Sequence, residues 1–300
     1  MDTGVLLTQV FNGLSLFSIL LLMALGLAII FGLMGVINLA HGEFMMIGAY
    51  TTYVIEIFFS KYVNGAFSMY IFVALISSFF LTAFIGFLTE KTLIQHLYKR
   101  PLDTLLATWG LSLILQQSFR NIFGANNVNV DMPKWLIGSF AISQDFNLPY
   151  NRIFILLLAI LCVGGITLFL FKTRWGLRIR AVTQNRNMSS ALGINTRKVD
   201  SVAFALGSGL AGIAGSALTM IGSVGPSTGQ NYIVDSFMVV ILGGIKSLLG
   251  TILSAFTIGE IQSVAEFFSS SSMAKVITLV GIIILLQIRP KGLFSMRVRA

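Results

Sequence analysis

Long apolar stretches alternate with short polar connections along most of the chain. A transmembrane helix needs about 20 mostly apolar residues. Stretches of that kind occur at 13–35, 42–59, 69–94, 104–123, 151–172, 201–222, 248–268 and 273–289, with a shorter one at 232–245. Their apolar residues lie on every side of a helical axis, unlike those of an amphipathic helix of a soluble protein. The pattern predicts an all-α fold, a polytopic transmembrane bundle of about eight or nine spanning segments that leaves room for broken or re-entrant helices.

Few charged residues interrupt these stretches. Charged side chains make up 10% of the chain and hydrophobic ones 56%, whereas soluble proteins carry about 25% charged residues. So few charges do not cover the surface of a soluble protein, and lipid must serve as the solvent for much of the exterior. We therefore predict a single transmembrane domain over residues 1–300, and the composition excludes a soluble protein.

The basic residues indicate how the chain is oriented. Fourteen of the 20 Lys and Arg residues lie near 91–100, at 172–198 and from 289 onward. Connections rich in Lys and Arg face the cytoplasm, which predicts an outer N-terminus, an outer connection at 124–150 and an inner tail. An odd number of crossings is then required: nine if 232–245 crosses, or seven if 232–268 is a re-entrant hairpin. Because the net charge of +9 follows this rule, no nucleic-acid partner is expected.

Two segments combine glycine with polar residues at membrane depth, 32–43 and 222–235. Non-helical backbone within a membrane is tolerated only where protein or a water-filled cavity satisfies its hydrogen bonds. Segments interrupted by Gly or Pro in both halves of a transporter point to its substrate region. Each segment is therefore either part of a substrate path or an ordinary turn at the membrane surface.

Polar side chains in and near these segments are the candidate path residues. They are Asn38, His41, Glu43, Gln230, Asn231, Asp235 and, in the stretch 248–268, Glu260. An acidic group in hydrocarbon costs free energy, so Glu260 must face protein or water and either serves the path or pairs with a basic or amide side chain. Gln116, Gln117 and Arg120 are interpreted as interfacial or interhelical hydrogen-bonding groups.

An intramembrane enzyme is another class of function that the sequence could encode, and it would use His41 and Glu43. The chain has only two histidines, and an HExxH motif is absent. No metal site is therefore predicted, and a satisfied polar cluster or a helix cap is the simpler interpretation of this pair.

Small residues recur at every fourth position in the stretch 201–222: Ala203, Gly207, Ala211 and Gly215, with Ser208, Gly212 and Ser216 beside them. This spacing places a flat strip on one side of a helix and predicts close packing of neighbouring helices. A role in lining the path is the alternative.

The basic connection 173–200 contains the signals of a short helix. Asn185 is a good N-cap and Gly193 can end the helix in the left-handed conformation. A two-turn helix is not stable alone, so it needs a docking surface on its own bundle or on another subunit. The alternative is a basic stretch lying at the lipid headgroups.

Several segments resemble a known family. Residues 31–50 resemble the N-terminal signature of the branched-chain amino-acid ABC permease family. Segments 104–117, 124–127, 180–186 and 225–240 are similar to its urea-transporting branch, and the resemblance extends from about residue 10 to residue 294. It implies an ABC importer permease fold in the cell inner (plasma) membrane, with urea as the expected solute and branched-chain amino acids as the alternative.

The resemblance also implies an assembly. A second homologous permease subunit, two ATPase subunits that bind ATP-Mg and a periplasmic substrate-binding protein are expected partners, together with membrane lipid. A coupling helix maps to 184–194 in the cytoplasmic loop 173–200, and the expected ATPase-coupling residues are Arg180, Asn185, Arg186, Ala191 and Gly193. The loop carries Ser189-Ser190-Ala191 where better-known importers have Glu-Ala-Ala.

The energy source must lie on another chain. Residues 243–247 contain glycines and a lysine but lack the spacing of a phosphate-binding loop, so no catalytic residue and no cofactor are expected here. A self-sufficient channel or ion-coupled carrier is the competing class. It would place acidic residues deep in several helices, whereas only Glu260 clearly meets that description.

Overall fold

The computed structural model describes residues 3–98, 100–143, 146–245, 247–289 and 292–293. The helices of these ranges are α1 Thr3–Met34, α2 His41–Tyr62, α3 Tyr70–Thr92, α4 Pro101–Phe123, α5 Tyr150–Lys172, α6 Arg174–Gln184, α7 Arg186–Ala191, α8 Thr196–Leu218, α9 Thr228–Gly243, α10 Leu248–Phe268 and α11 Ser271–Ile288. An antiparallel hairpin of β1 Ser139–Ser143 and β2 Phe146–Pro149 precedes α5. Short 3₁₀ turns occur at Asn64–Met69, Ile94–His96 and Lys134–Leu136.

Each predicted apolar stretch coincides with one helix, so the nearly all-α fold is confirmed. Among the described residues, six helices are long and apolar enough to cross a membrane: α1, α3 with its flanking turns, α5, α8, α10 and α11. The helices α2 and α4 contain polar residues at depth. At 1.5 Å per residue, the 16 residues of α9 span about 24 Å, less than a bilayer core.

The helices α1 and α8 form the centre of the bundle. From Phe17 to Ile30 nearly every residue of α1 is buried, and this helix packs against α5, α8, α9 and α10. The helix α8 fills the space between α1, α2 and α3. The small-residue strip makes this possible, because Gly207 faces Gly26 of α1 and Gly215 faces Met45 of α2. The prediction of close helix packing is confirmed.

Hydroxyl groups strengthen the same interface. Ser216 of α8 lies 2.6 Å from the hydroxyl of Ser78 on α3, and Thr52 of α2 donates to Ser216 at 2.8 Å. Buried Ser and Thr side chains therefore join the three helices by hydrogen bonds between side chains.

Contacts between connections indicate the direction of α9. The backbone of Val224, which precedes α9, pairs with Val128 in the connection between α4 and α5. At the other end, the N–H of Leu293 donates to the carbonyl of Leu242. The helix therefore runs from the side of the 124–150 connection to the side of the tail. Of the basic residues that set the orientation, Lys99, Lys291, Arg297 and Arg299 lie outside the described residues.

Candidate functional site

The chain between α1 and α2 turns back into the bundle. Gly35, with a φ of 70°, reverses the direction of the chain after Met34. The helix α2 then begins at His41, whose Nε2 donates to the carbonyl of Met23 at 3.2 Å. Met23 precedes the end of α1 by three helical turns, so His41 lies about 16 Å along the α1 axis from that end. The first glycine-rich segment is thus a break at depth rather than a turn at the membrane surface.

The second glycine-rich segment reaches the same place. After the backbone pairing of Val224, α9 begins at Thr228, and Gly229 packs directly on Gly42 of α2. A β-carbon on either glycine would overlap the carbonyl oxygen of the other. The two breaks, which are far apart in sequence, therefore meet inside the bundle. Each break contains the N-terminus of a helix, whose dipole favours negative or carbonyl-bearing groups.

Glu43 joins α2 to α4. Its Oε1 accepts hydrogen bonds from Ser112 at 2.9 Å and from Gln116 at 2.8 Å. Just before α2, the N–H of Leu39 donates to the hydroxyl of Thr108 at 3.1 Å. The backbones of α2 and α4 make little close contact. Polar side chains, rather than tight packing, fill the gap between these helices.

Several buried polar atoms at the start of α2 have unused hydrogen-bonding capacity. Asn38, His41 and Glu43 are buried. Asn38 Nδ2, His41 Nδ1 and Glu43 Oε2 have no hydrogen-bond partner within the described part of the chain. Buried polar groups are normally paired, and leaving one unpaired costs free energy. Glu43 Oε2 therefore offers an acceptor to a polar solute in the gap between α2 and α4, whereas the ring of His41 lies against α1.

An aromatic cluster closes the gap on the side of the 124–150 connection. The ring of Tyr50 stacks on Phe123 with centroids 4.5 Å apart and lies 5.2 Å from Phe119. Tyr50 follows Glu43 by two helical turns, and Phe123 follows Gln116 by the same interval. The rings therefore lie directly beyond the polar gap and separate it from the predicted outer surface.

The other candidate path residues lie elsewhere. Gln230 and Asn231 are exposed. The buried Asp235 pairs with Lys275 of α11 at 3.3 Å, and the carbonyl of Asn231 accepts from the same lysine at 3.2 Å. Glu260 lies against Gly13 of α1, where a β-carbon would be 2.6 Å from the carboxyl group. Asn38, His41 and Glu43 therefore lie at the first break, where His41 faces α1 and Glu43 faces α4, whereas Asp235 and Glu260 occupy separate helix interfaces.

The α4 residues Ser112 and Gln116 are not among the path residues predicted from the sequence. Gln116 is predicted to make interfacial or interhelical hydrogen bonds, and it does bond across helices, to Glu43 of α2. The available signal was a polar residue at every fourth position of an apolar stretch: Thr104, Thr108, Ser112 and Gln116. Such spacing marks one side of a helix, and here that side faces α2.

The predicted short helix in the basic connection is present as α7. The side chain of Asn185 accepts the N–H of Met188 at 2.9 Å, and Gly193, with a φ of 83°, follows the helix end. Ala191 is exposed, as are Met188 (58%) and Leu192 (75%). An exposed apolar surface of this kind on a cytoplasmic connection is typical of a docking site.

Two arginines of this connection are held differently. Arg186 forms an ion pair with Asp200 of α8, and its guanidinium lies 5.2 Å from the ring centroid of Tyr98. Arg180 lies over Phe171 at 4.7 Å. It also lines an apolar groove of about 420 Å³ between α1, α5 and α10. Arg186 therefore anchors α7, while Arg180 lies against the bundle and away from α7.

The comparison with known families agrees with this architecture. Residues 9–286 match the family described as branched-chain amino acid transport system / permease component. The chain belongs to this family. It is a permease subunit of an ABC importer and a multi-pass protein of the inner membrane, and ATP hydrolysis takes place on a separate subunit.

Individual relatives cover almost the whole chain. The high-affinity branched-chain amino acid transport system permease protein BraD of Pseudomonas aeruginosa is 27% identical and covers 96% of this chain and 95% of its own. LivH of Salmonella typhimurium, a permease of the same description, has the same identity and coverage. The probable branched-chain amino acid transport permease LivH of Methanocaldococcus jannaschii is also 27% identical and covers 92% of this chain and 88% of its own.

No solved structure matches the chain. The prediction of a branched-chain amino-acid ABC permease is confirmed at the level of the family. The finer resemblance to the urea-transporting branch is not supported by these relatives, whose names fit the amino-acid alternative better.

Proposed function

We propose that this permease moves a branched-chain amino acid through the polar gap between α2 and α4. The observation that carries the proposal is the position of Glu43, Ser112 and Gln116, which join two helices whose backbones stay apart. A gap held together by side-chain hydrogen bonds can open by exchanging those bonds for bonds to a solute. The names of the relatives support the substrate class, and urea is the competing solute.

Transport through this gap requires that it opens alternately to the two sides. In the present structure Tyr50, Phe119 and Phe123 close it on the predicted outer side. Opening on that side requires α4 to move away from α2, which breaks the contacts of Glu43. A partner protein drives such a change only if it binds one of the two states more tightly.

The segment α7 is a suitable docking site for an ATPase that binds one of the two states more tightly. It presents Met188 and Leu192 on an otherwise basic surface. A cavity of about 420 Å³ adjoins the exposed Gly193 and is lined by Trp175, Arg178 and Lys198. We assign Asn185, Arg186, Ala191 and Gly193 to this docking region, with ATP-Mg bound on the two ATPase subunits. A second permease subunit and a periplasmic binding protein complete the proposed importer.

Uptake by the reconstituted importer tests the path. Proteoliposomes containing both permeases, both ATPase subunits and the binding protein are loaded with ATP-Mg and supplied with radiolabelled leucine or urea. We expect leucine uptake. We also expect Glu43→Ala to lower it about tenfold, because two hydrogen bonds of ~0.5–1.5 kcal/mol each are lost and ~1.4 kcal/mol is a factor of ten.

The matched control is Gln117→Ala. Gln117 adjoins Gln116 but bonds to Asn121 of its own helix, so its replacement should leave uptake unchanged. Uptake of urea without leucine would reject the amino-acid substrate. Unchanged leucine uptake by an assembled Glu43→Ala importer would reject the path.

A further inference from the structure

A second cavity lies between α1, α5, α9 and α10, apart from the gap between α2 and α4. Its volume is about 440 Å³, within the range of small-molecule sites. Arg152 comes from the first turn of α5, and Glu266 from the last turn of α10. Both helix ends are predicted to lie on the outer side of the membrane. The cavity is therefore in the outer half of the bundle, where a solute would arrive.

Two opposite charges line the cavity without pairing with each other. The half-buried Arg152 donates to the side-chain oxygen of Asn12. Glu266, which is exposed, accepts from the hydroxyl of Ser271 at 2.7 Å. No ion pair joins Arg152 to Glu266 in the described ranges. Here one cation and one anion remain available to a ligand.

The remaining wall combines polar side chains, namely those of Gln9, Asn12, Ser15 and Ser263, with an apolar part. Leu16 and Ile19 of α1, Ile221 after α8 and Phe267 of α10 contribute to it. A cation, an anion and an aliphatic wall correspond to the three parts of an aliphatic amino acid, namely its carboxylate, its ammonium group and its side chain. Urea has neither a charge nor an aliphatic group, so it would leave both ionic groups and the apolar wall without a partner.

The floor of the cavity lies close to the broken helices. Ile19 precedes Met23 by one turn of α1, and the carbonyl of Met23 accepts the hydrogen bond from His41. Tyr232, also on the wall, follows Gly229 by about one turn of α9, and Gly229 packs on Gly42. One helical turn is about 5 Å. The cavity thus ends near the point where the two breaks meet.

We propose that this cavity is an outer binding site for a zwitterionic aliphatic amino acid. Arg152 binds its carboxylate, Glu266 binds its ammonium group, and Leu16, Ile19 and Phe267 contact its side chain. The site rests on the proposed amino-acid transport, and it holds the substrate before the gap between α2 and α4 opens. With such a site, this chain discriminates between substrates, as does the binding protein.

Equilibrium binding to the assembled importer tests the site. The complex of permeases and ATPase subunits is placed in nanodiscs without ATP or binding protein, and leucine affinity is measured by scintillation proximity. Charge-assisted hydrogen bonds are among the strongest in proteins. We therefore expect Arg152→Gln and Glu266→Gln each to weaken leucine binding about tenfold or more. Asp131→Asn and Lys134→Gln, on the exposed connection before α5, are the matched controls.

Two leucine analogues identify which group binds which charge. Leucinamide keeps the ammonium group but lacks the carboxylate. The Arg152→Gln complex should therefore bind leucinamide with the same affinity as the unmodified complex. The acid 4-methylpentanoate lacks the ammonium group. The Glu266→Gln complex should therefore bind it with the same affinity as the unmodified complex. Equal losses for leucine and both analogues in each variant would overturn the assignment and indicate a structural effect.

A lipid headgroup with an ammonium and a phosphate group has related chemistry. Nanodiscs with and without phosphatidylethanolamine separate the two sources. We expect leucine to bind equally in both kinds of nanodisc. Leucine binding that requires removal of this lipid would overturn the proposal.

Leucine uptake is measured in parallel. If uptake persists while both variants bind leucine like the unmodified complex, the site is wrong and the transport function stands. If the importer carries urea alone, the transport function itself fails.

Discussion

The guanidinium of Arg186 lies 5.2 Å from the centroid of the Tyr98 ring. The hydroxyl of Tyr98 donates to Glu90 at 2.8 Å, and the carboxylate of Asp200 pairs with Arg186. Burial next to Asp200 and Glu90 raises the pKa of Tyr98 well above its usual value, so the hydroxyl remains a donor at neutral pH. Tyr98 stands just before α4. The contact therefore links α7 to α3, to α8 and to the start of α4.

Removing this contact should weaken the coupling between ATP hydrolysis and transport. Tyr98→Phe keeps the ring under Arg186 but loses the hydrogen bond to Glu90, whereas Tyr98→Leu loses both. We expect the importer with Tyr98→Leu to retain basal ATPase activity and to lose most of the stimulation by substrate-loaded binding protein, with Tyr98→Phe intermediate. ATPase rates with and without that protein provide the measurement. Full stimulation of an assembled Tyr98→Leu importer would show that the link is dispensable.

Glycine contacts should determine whether α2 can pack closely on α8 and on the start of α9. In Gly42→Ala the new methyl group would overlap the carbonyl of Gly229, and in Gly215→Ala it would overlap that of Met45. Overpacking of a close-packed interior typically costs ~1–3 kcal/mol, and here the colliding atoms are backbone. We expect a lower melting temperature and poorer recovery of monodisperse protein in detergent.

Gly164 and Gly110 are the matched controls. A β-carbon on either would meet no atom within 4 Å, so alanine there should leave stability unchanged or slightly higher, because alanine favours helix over glycine. Equal losses at all four positions would mean that close backbone contact does not explain the effect.

The contrast between these glycines shows what the sequence could predict. The periodic strip at Gly207 and Gly215 indicated close packing, because small residues four apart share one side of a helix. The positions of the helices were equally predictable, since each apolar stretch is long enough to form one. The hairpin before α5 was not predicted, because its strands are short and lack a clear alternation of apolar and polar residues.

The site was only partly predictable for a different reason. The breaks at 32–43 and 222–235 contain local signals, namely glycine and polar residues between apolar stretches. Their meeting at Gly42 and Gly229 depends on tertiary packing. The partners of Glu43 lie on α4, two helices further along the chain, and no local spacing identifies that pairing. Asp235 illustrates the same limit, because its partner Lys275 lies beyond α10.

The ion pair of Asp235 and Lys275 should stabilise the contact between α9 and α11. Asp235 is buried, and Lys275 is about one-third exposed. Removing one partner from a buried pair leaves an uncompensated charge, which is more costly than removing both. We expect Lys275→Met to lower the melting temperature more than the double variant with Asp235→Asn. A double-mutant cycle from thermal unfolding measures the interaction, and strictly additive effects would show that the two side chains act independently.

The aromatic cluster should control access to the gap from outside. The chain has one cysteine, the buried Cys162, so a Cys162→Ala background allows Ser112→Cys to report on the gap. We expect slow labelling of Ser112→Cys by an impermeant thiol reagent added outside, because Tyr50 and Phe123 stack over this region. Phe123→Ala should speed labelling severalfold by removing one of the rings. Phe84→Ala, which removes an exposed ring of α3, should leave the labelling rate unchanged. Equal labelling of Ser112→Cys alone, with Phe123→Ala and with Phe84→Ala would contradict a closed outer side.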